Sequence, residues 1–184
     1  MLSNCAFRAQ LALPGQRMLF DYWQDIAGDR AMPVRADFDP LKFPHLLPDL
    51  GLIDLREGFD RGHFRLAGTR LRDVYGREIT GLRLTEVFSG TRAAQWRTVH
   101  SRIATEAVCA QGLLQAPAAE RDHVVVQWLR LPLSDDGTRV DRILCHDIRH
   151  DSLQHSPERF SGAKAASEFT VYCAGRKTRA TARA

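Results

Sequence analysis

His146-Asp147 and His150-Asp151 lie four residues apart, each joining an imidazole to a carboxylate, and both groups ligate divalent metals. Hydrolytic centres of that type draw ligands from converging helices, whereas residues 139–148 read as a strand that these pairs terminate. If Asp136-Gly137 makes a two-residue turn ahead of that strand, His123 falls opposite His150. Two adjacent imidazoles could share an ion, but a closed site needs about four ligands. The expectation is solvated strand-end polar groups and no metal. A further imidazole, His100, stands four residues after Trp96 and three before Ile103, at the border of an apolar helical face. Neutral imidazole ligates iron well, but the plainer expectation leaves His100 half-exposed beside Ser101 and Arg102. Cys5, Cys109, Cys145 and Cys173 show no Cys-x-x-Cys spacing and read as free thiols of a reducing, cytoplasmic compartment. No Gly-rich phosphate loop, Gly-x-Ser-x-Gly elbow or His-Glu-x-x-His helix occurs, so no catalytic residues are assigned and no enzyme is expected.

These side chains must be positioned by a short list of elements. Met18, Leu19, Tyr22, Trp23 and Ile26 form one stripe of a helix over residues 16–27, with Gly28 placed to cap it. Residues 1–14 read as a poorly defined leader. Pro33, Pro40, Pro44 and Pro48 then allow only short helical turns, Asp39-Pro40 being a good start for one. Residues 50–55 and 63–67 read as a hairpin. Glycines 68, 76 and 81 punctuate short helices and loops. The longest helix spans residues 91–110, with Trp96, Val99, Ile103, Ala107 and Ala110 on its apolar face and Gly112 past its end. Residues 124–131 and 139–148 form a second hairpin around Asp136-Gly137, and residues 112–116 could add a strand. The order predicts an α+β fold with an antiparallel sheet, since tight hairpins cannot join parallel strands.

The chain has 184 residues and a net charge of +4, which suits one domain. Residues 161–184 carry five basic side chains and only Glu168 as an acid, so the tail alone accounts for the excess. A balanced core with a basic appendage argues against a nucleic-acid groove, and binding through the tail is the weaker alternative. Phe169, Val171 and Tyr172 are the part of an otherwise weakly ordered tail able to dock. No run is long enough to span a bilayer, and none has signal-peptide form, so no membrane association is expected.

Tyr22-Trp23, Met32-Pro33, Arg35-Ala36-Asp37, Asp39-Pro40, Leu46-Leu47-Pro48, Phe64-Arg65-Leu66-Ala67-Gly68-Thr69, Gly76 to Gly81 and Leu131-Pro132-Leu133 occur in an order that resembles a subfamily of small bacterial PAS proteins. The resemblance implies a PAS fold: a sheet of about five strands, short helices and one long connecting helix, here with an N-terminal helix added. The divisions are 1–14 leader, 15–30 N-terminal helix, 31–155 PAS domain and 156–184 tail. The resemblance also implies a stand-alone sensory or regulatory domain in bacterial signalling, acting by contact with another signalling protein or with itself as a homodimer. A small-molecule ligand is compatible with it, and an enzyme using the PAS cavity is the alternative.

Arg65, Gly68, Thr69, Gly76 and Gly81 carry over as structural positions, Arg65 pairing with a carboxylate or carbonyl at the sheet edge. Trp96, Val99, His100, Ile103, Val126 and Trp128 are the pocket candidates. Met18, Leu19, Tyr22, Trp23 and Ile26 are the dimer-interface candidates, if the stripe does not pack on its own sheet. In PAS relatives a flavin reacts with a Cys in an Asn-Cys-Arg-Phe-like motif, and haem takes a His from the long helix. Asn4-Cys5-Ala6-Phe7 precedes the fold and His100 borders the face, so neither flavin nor haem is expected and any cofactor is unassigned.

Overall fold

The computed structural model describes residues 2–90, 92–116, 124–149 and 169–174. The supposed leader contains helix α1, Asn4–Gln10, whose first turn is capped by the Ser3 hydroxyl accepting from the Ala6 amide at 3.3 Å. Phe7 anchors it, fully buried with its ring 5.0 Å from Phe20. Helix α2, Pro14–Ala27, starts on proline and ends at Gly28, whose φ of 59° most side chains would resist. Its stripe turns inward. Leu19 and Trp23 are buried, and the Trp23 indole donates to the Pro132 carbonyl at 2.7 Å. Tyr22 and Ile26 are half-buried, leaving only Met18 exposed, at 44%. Leu19 and Trp23 are thus part of this chain's own core, which corrects their assignment to a dimer interface.

Three single 3-10 turns follow, at Arg35–Asp37, Pro40–Lys42 and Leu47–Asp49, as short as the prolines dictate. Strands β1, Leu50–Asp54, and β2, His63–Ala67, form the first hairpin. Short helices α3, Leu71–Tyr75, and α4, Leu84–Val87, lead to the long α5, Ala93–Glu106. Gly68, Gly76 and Gly81 divide their duties. Gly76 and Gly81 have positive φ, whereas a Cβ on Gly68 would lie 2.3 Å from the carbonyl oxygens of Leu47 and Pro48. Thr69 is exposed in the turn that follows.

Helix α5 stops four residues before the expected end. Ala107 takes the left-handed conformation at φ 50° and caps it, and β3, Val108–Gln115, begins at once. Pairing of this apolar run with β4, Val125–Leu133, outweighs the helical spacing of Ala107 and Ala110, and Gly112 becomes a mid-strand residue opposite Trp128. Strand β5, Arg142–Arg149, returns antiparallel to β4, and β6, Phe169–Ala174, pairs with β3. The sheet order is β2-β1-β5-β4-β3-β6, antiparallel throughout. The docked strand is the stretch of tail that holds Phe169, Val171 and Tyr172. The rest of the tail, with His123, His150 and Asp151, lies outside the described residues.

The β4–β5 turn is longer than two residues. Leu133 pairs with Arg142 and not with Val140, because the Ser134 hydroxyl accepts from the Gly137 amide at 2.8 Å and Asp136 Oδ1 from the Thr138 amide at 2.8 Å. A two-residue shift leaves the faces of both strands unchanged. Residues directly opposite in the sheet share a face. Gly51, Cys145, Arg130 and Ala110 therefore lie on the side roofed by α3–α5, here the inner face. Leu50, His146, Leu129 and Gln111 lie on the outer face, towards α2.

Candidate functional site

The inner face is where the sequence places a pocket, and the structure fills it with side chains. Trp96, Val99, His100 and Ile103 descend from α5 and Val126 and Trp128 rise from β4, all buried. Ring centroids of Trp96 and Trp128 are 5.2 Å apart, those of Phe88 and Trp96 5.1 Å, and those of Phe88 and His100 5.0 Å. Phe64 and Tyr75 continue the cluster at 5.8 Å from each other. Close-packed rings of this kind bury large areas in tilted and offset geometries that favour a solid core.

At the centre of the rings is an ion pair that sequence reasoning missed. Arg130 and Asp147 are both fully buried, with Arg130 donating through its terminal nitrogens to the two Asp147 oxygens at 2.5 and 3.1 Å. Tyr75 Oη donates to Asp147 Oδ2 at 2.7 Å, and the guanidinium lies 5.1 Å from the Trp96 ring and 5.6 Å from that of Trp128. Burial alone would lower the Arg130 pKa, but the adjacent Asp147 carries it above its ordinary value. His146 and Asp147 are therefore not solvated strand-end groups: β5 runs through the middle of the sheet, flanked by β1 and β4, so both are buried on opposite faces. The available signal was Arg130 itself, a single cation between Leu129 and Leu131 in an apolar strand. Such a residue needs a buried anion close by.

His100 is likewise fully buried and not half-exposed. Its Nδ1–H donates to the Trp96 carbonyl at 2.8 Å, which leaves Nε2 as the acceptor facing Arg130 Nε at 3.4 Å. Burial first, and the Arg130 charge second, push its pKa down to about 3. Its iron-binding lone pair points at a guanidinium inside packed rings, so the residues present do not fit haem. Nor do they fit a flavin adduct. Cys5 is exposed on α1 and Cys109 is on the outer face. The inward Cys145 is pushed by burial to a pKa of about 12. Among the described residues no cluster of three or more His, Cys, Asp or Glu side chains could hold a metal.

Open space lies on the outer face instead, beside β1 and β2. A cleft of about 200 Å³ has Leu50, Leu52 and Leu144 as its floor and Phe38, Pro40 and Leu47 as a wall. It shares Arg35, Leu52 and Leu66 with a wider groove of about 640 Å³ that is also lined by Arg65, Arg142 and Asp135. The register shifts between Leu52, opposite Leu66, and Ile53, opposite Phe64, so Arg65 is an extra residue bulged from the edge strand. Arg65 is exposed without a hydrogen-bond or ion-pair partner among the described residues, which corrects its expected edge pairing.

The class this architecture defines is an α+β module: one antiparallel sheet, roofed on its inner face by short helices and a long connecting helix. A family model described as PAS domain matches residues 12–151. The chain belongs to the PAS-domain family, and it is a sensory signalling domain. Among solved structures, the crystal structure of the Rhodobacter sphaeroides LOV protein is similar, with a TM-score of 0.48 and 17% identity over 65% of this chain and 72% of that one. Comparison with curated proteins returned no match. Among the described residues no helix is long and apolar enough to cross a membrane.

Proposed function

We propose that this PAS domain is a non-catalytic regulator that acts by binding another signalling protein. The observation that carries this reading is the commitment of the inner face to its own side chains. Arg130, Asp147, Tyr75 and His100 satisfy one another within a shell of rings, leaving no free acid–base pair to face a substrate. A domain built this way presents information on its surface, through the α2 side and the β2 edge. Leu41 and Leu66 are exposed there, at 76% and 56%. The reading is tested by proximity labelling with the full chain in its own cells, followed by reciprocal pull-down with the purified partner. A regulator gives a defined partner whose binding falls with Leu41→Glu or Leu66→Glu while the fold is unchanged. Absence of any enriched partner, together with turnover of small-molecule substrates by the purified chain, would overturn it.

A further inference from the structure

The outer-face cleft has properties that the inner core lacks. One end is mostly apolar, the other carries Arg65, Arg142 and Asp135, and the two are continuous through Arg35, Leu52 and Leu66. Volumes of this order suit a small molecule better than a folded partner, since ligand sites generally occupy about 300–1,000 Å³ and are mostly apolar with a few placed polar groups. Charge decides the ligand's polar end. Asp135 holds Arg142, and Asp54 lies 4.0 Å from Arg142, so that cation is already answered. Arg35 donates to the Phe38 carbonyl at 3.3 Å, and no carboxylate among the described residues is paired with it. Among the described residues of the groove Arg65 is left as the unanswered cation, and the bulge is what aims it at the groove that Leu66 also lines. A guanidinium in this position recognises a carboxylate in forked geometry.

We propose that this cleft binds a small amphiphilic carboxylate. Its hydrocarbon tail lies against Phe38, Leu47, Leu52 and Leu144, and its head group meets Arg65 with Arg35 alongside. The wall of the cleft belongs to the segment that follows α2 and is tied to the β4–β5 turn. The Arg35 amide donates to the Ser134 carbonyl at 2.6 Å, and the Ser134 amide donates to the Pro33 carbonyl at 3.0 Å. Occupancy would therefore be felt where the exposed surface of the domain is built. This deepens the regulatory reading by naming a ligand class, and the binding claim is tested without the partner.

The test is titration of the isotopically labelled full chain with sodium decanoate and, in parallel, with 1-decanol, followed by amide chemical shifts. Decanoate is expected to bind saturably, with shifts centred on Phe38, Leu52, Leu66 and Gly68. Decanol should bind about tenfold more weakly or worse, and Arg65→Glu should weaken decanoate by about tenfold at an unchanged thermal midpoint. Arg65→Lys, which keeps the charge but loses the fork, should bind decanoate more weakly than wild type and more tightly than Arg65→Glu. No shifts up to ~1 mM decanoate, equal binding of decanol, or wild-type affinity in Arg65→Glu would each overturn the proposal. So would shifts confined to the Trp96 and Trp128 indole N–H groups, which report the inner face. Co-sedimentation with phosphatidylglycerol vesicles that depends on Arg65, in the absence of decanoate binding, would overturn it in favour of a membrane surface. Loss of the ligand claim leaves the pull-down result standing, so the two proposals fail separately.

Discussion

His100 can accept a hydrogen bond from Arg130 only while its ring is neutral, and that sets the acid behaviour of the protein. Burial and the neighbouring guanidinium hold its pKa at about 3, and burial holds that of His146 at about 4. Unfolded chains protonate both rings near pH 6.5, so below that pH the unfolded state binds more protons and stability falls as pH falls towards the folded values. Urea midpoints measured from pH 7 to pH 4 should drop steadily, by up to ~1.4 kcal/mol per pH unit per ring. His100→Gln, which keeps an acceptor without the titration, should lose about half of that slope. The ion pair makes a separate prediction. Arg130→Met or Asp147→Leu alone strands a buried charge and should cost about 3–5 kcal/mol by denaturant melts. The double variant should recover most of that loss. Of this site, Trp96, Val99 and Ile103 were legible because their spacing alone puts them on one helical face. His146-Asp147 was not, because a dipeptide cannot reveal that its strand lies between two others.

Helix α5 and the turn before α3 show where local pattern ends and tertiary contact takes over. The periodicity of Ala107 and Ala110 extends the helix on paper, yet the apolar run from Val108 pairs with β4, and the chain must turn at an alanine with φ 50°. A left-handed conformation strains any Cβ, so Ala107→Gly should raise stability by about 0.4–1 kcal/mol, read as a higher thermal midpoint. Gly68 is the opposite case. A Cβ there meets two backbone oxygens at 2.3 Å, which cannot move aside as a side chain would. Gly68→Ala should therefore destabilise by about 2–3 kcal/mol on the same melts. The need for a glycine was legible from the sequence. Which of two reasons required it was not, since positive φ and close approach leave the same letter.

At the scale of the whole molecule, the sheet is finished by a strand from the tail. β6 covers the edge of β3, and α1 packs against β6. Leu2 bridges Cys173, and the Cys173 thiol donates to Asn4 Oδ1 at 2.8 Å. An eight-residue apolar strand with an open edge is a template for pairing with other chains. Removing residues 169–184 should therefore make the apparent mass in light scattering rise with concentration more steeply than that of the full chain. The composition of the tail hid this, because its charges outnumber the few residues that dock. The joint also has a consequence for synthesis. The contact between Asn4 and Cys173 joins residues 169 apart, so the first-made helix waits for the last-made strand. At ribosomal rates of roughly 5–20 residues per second, that wait is about ten to thirty seconds, during which β3 emerges with its edge uncovered. A nascent chain of this protein carries that uncovered edge among its neighbours on the polysome for about the last third of that interval.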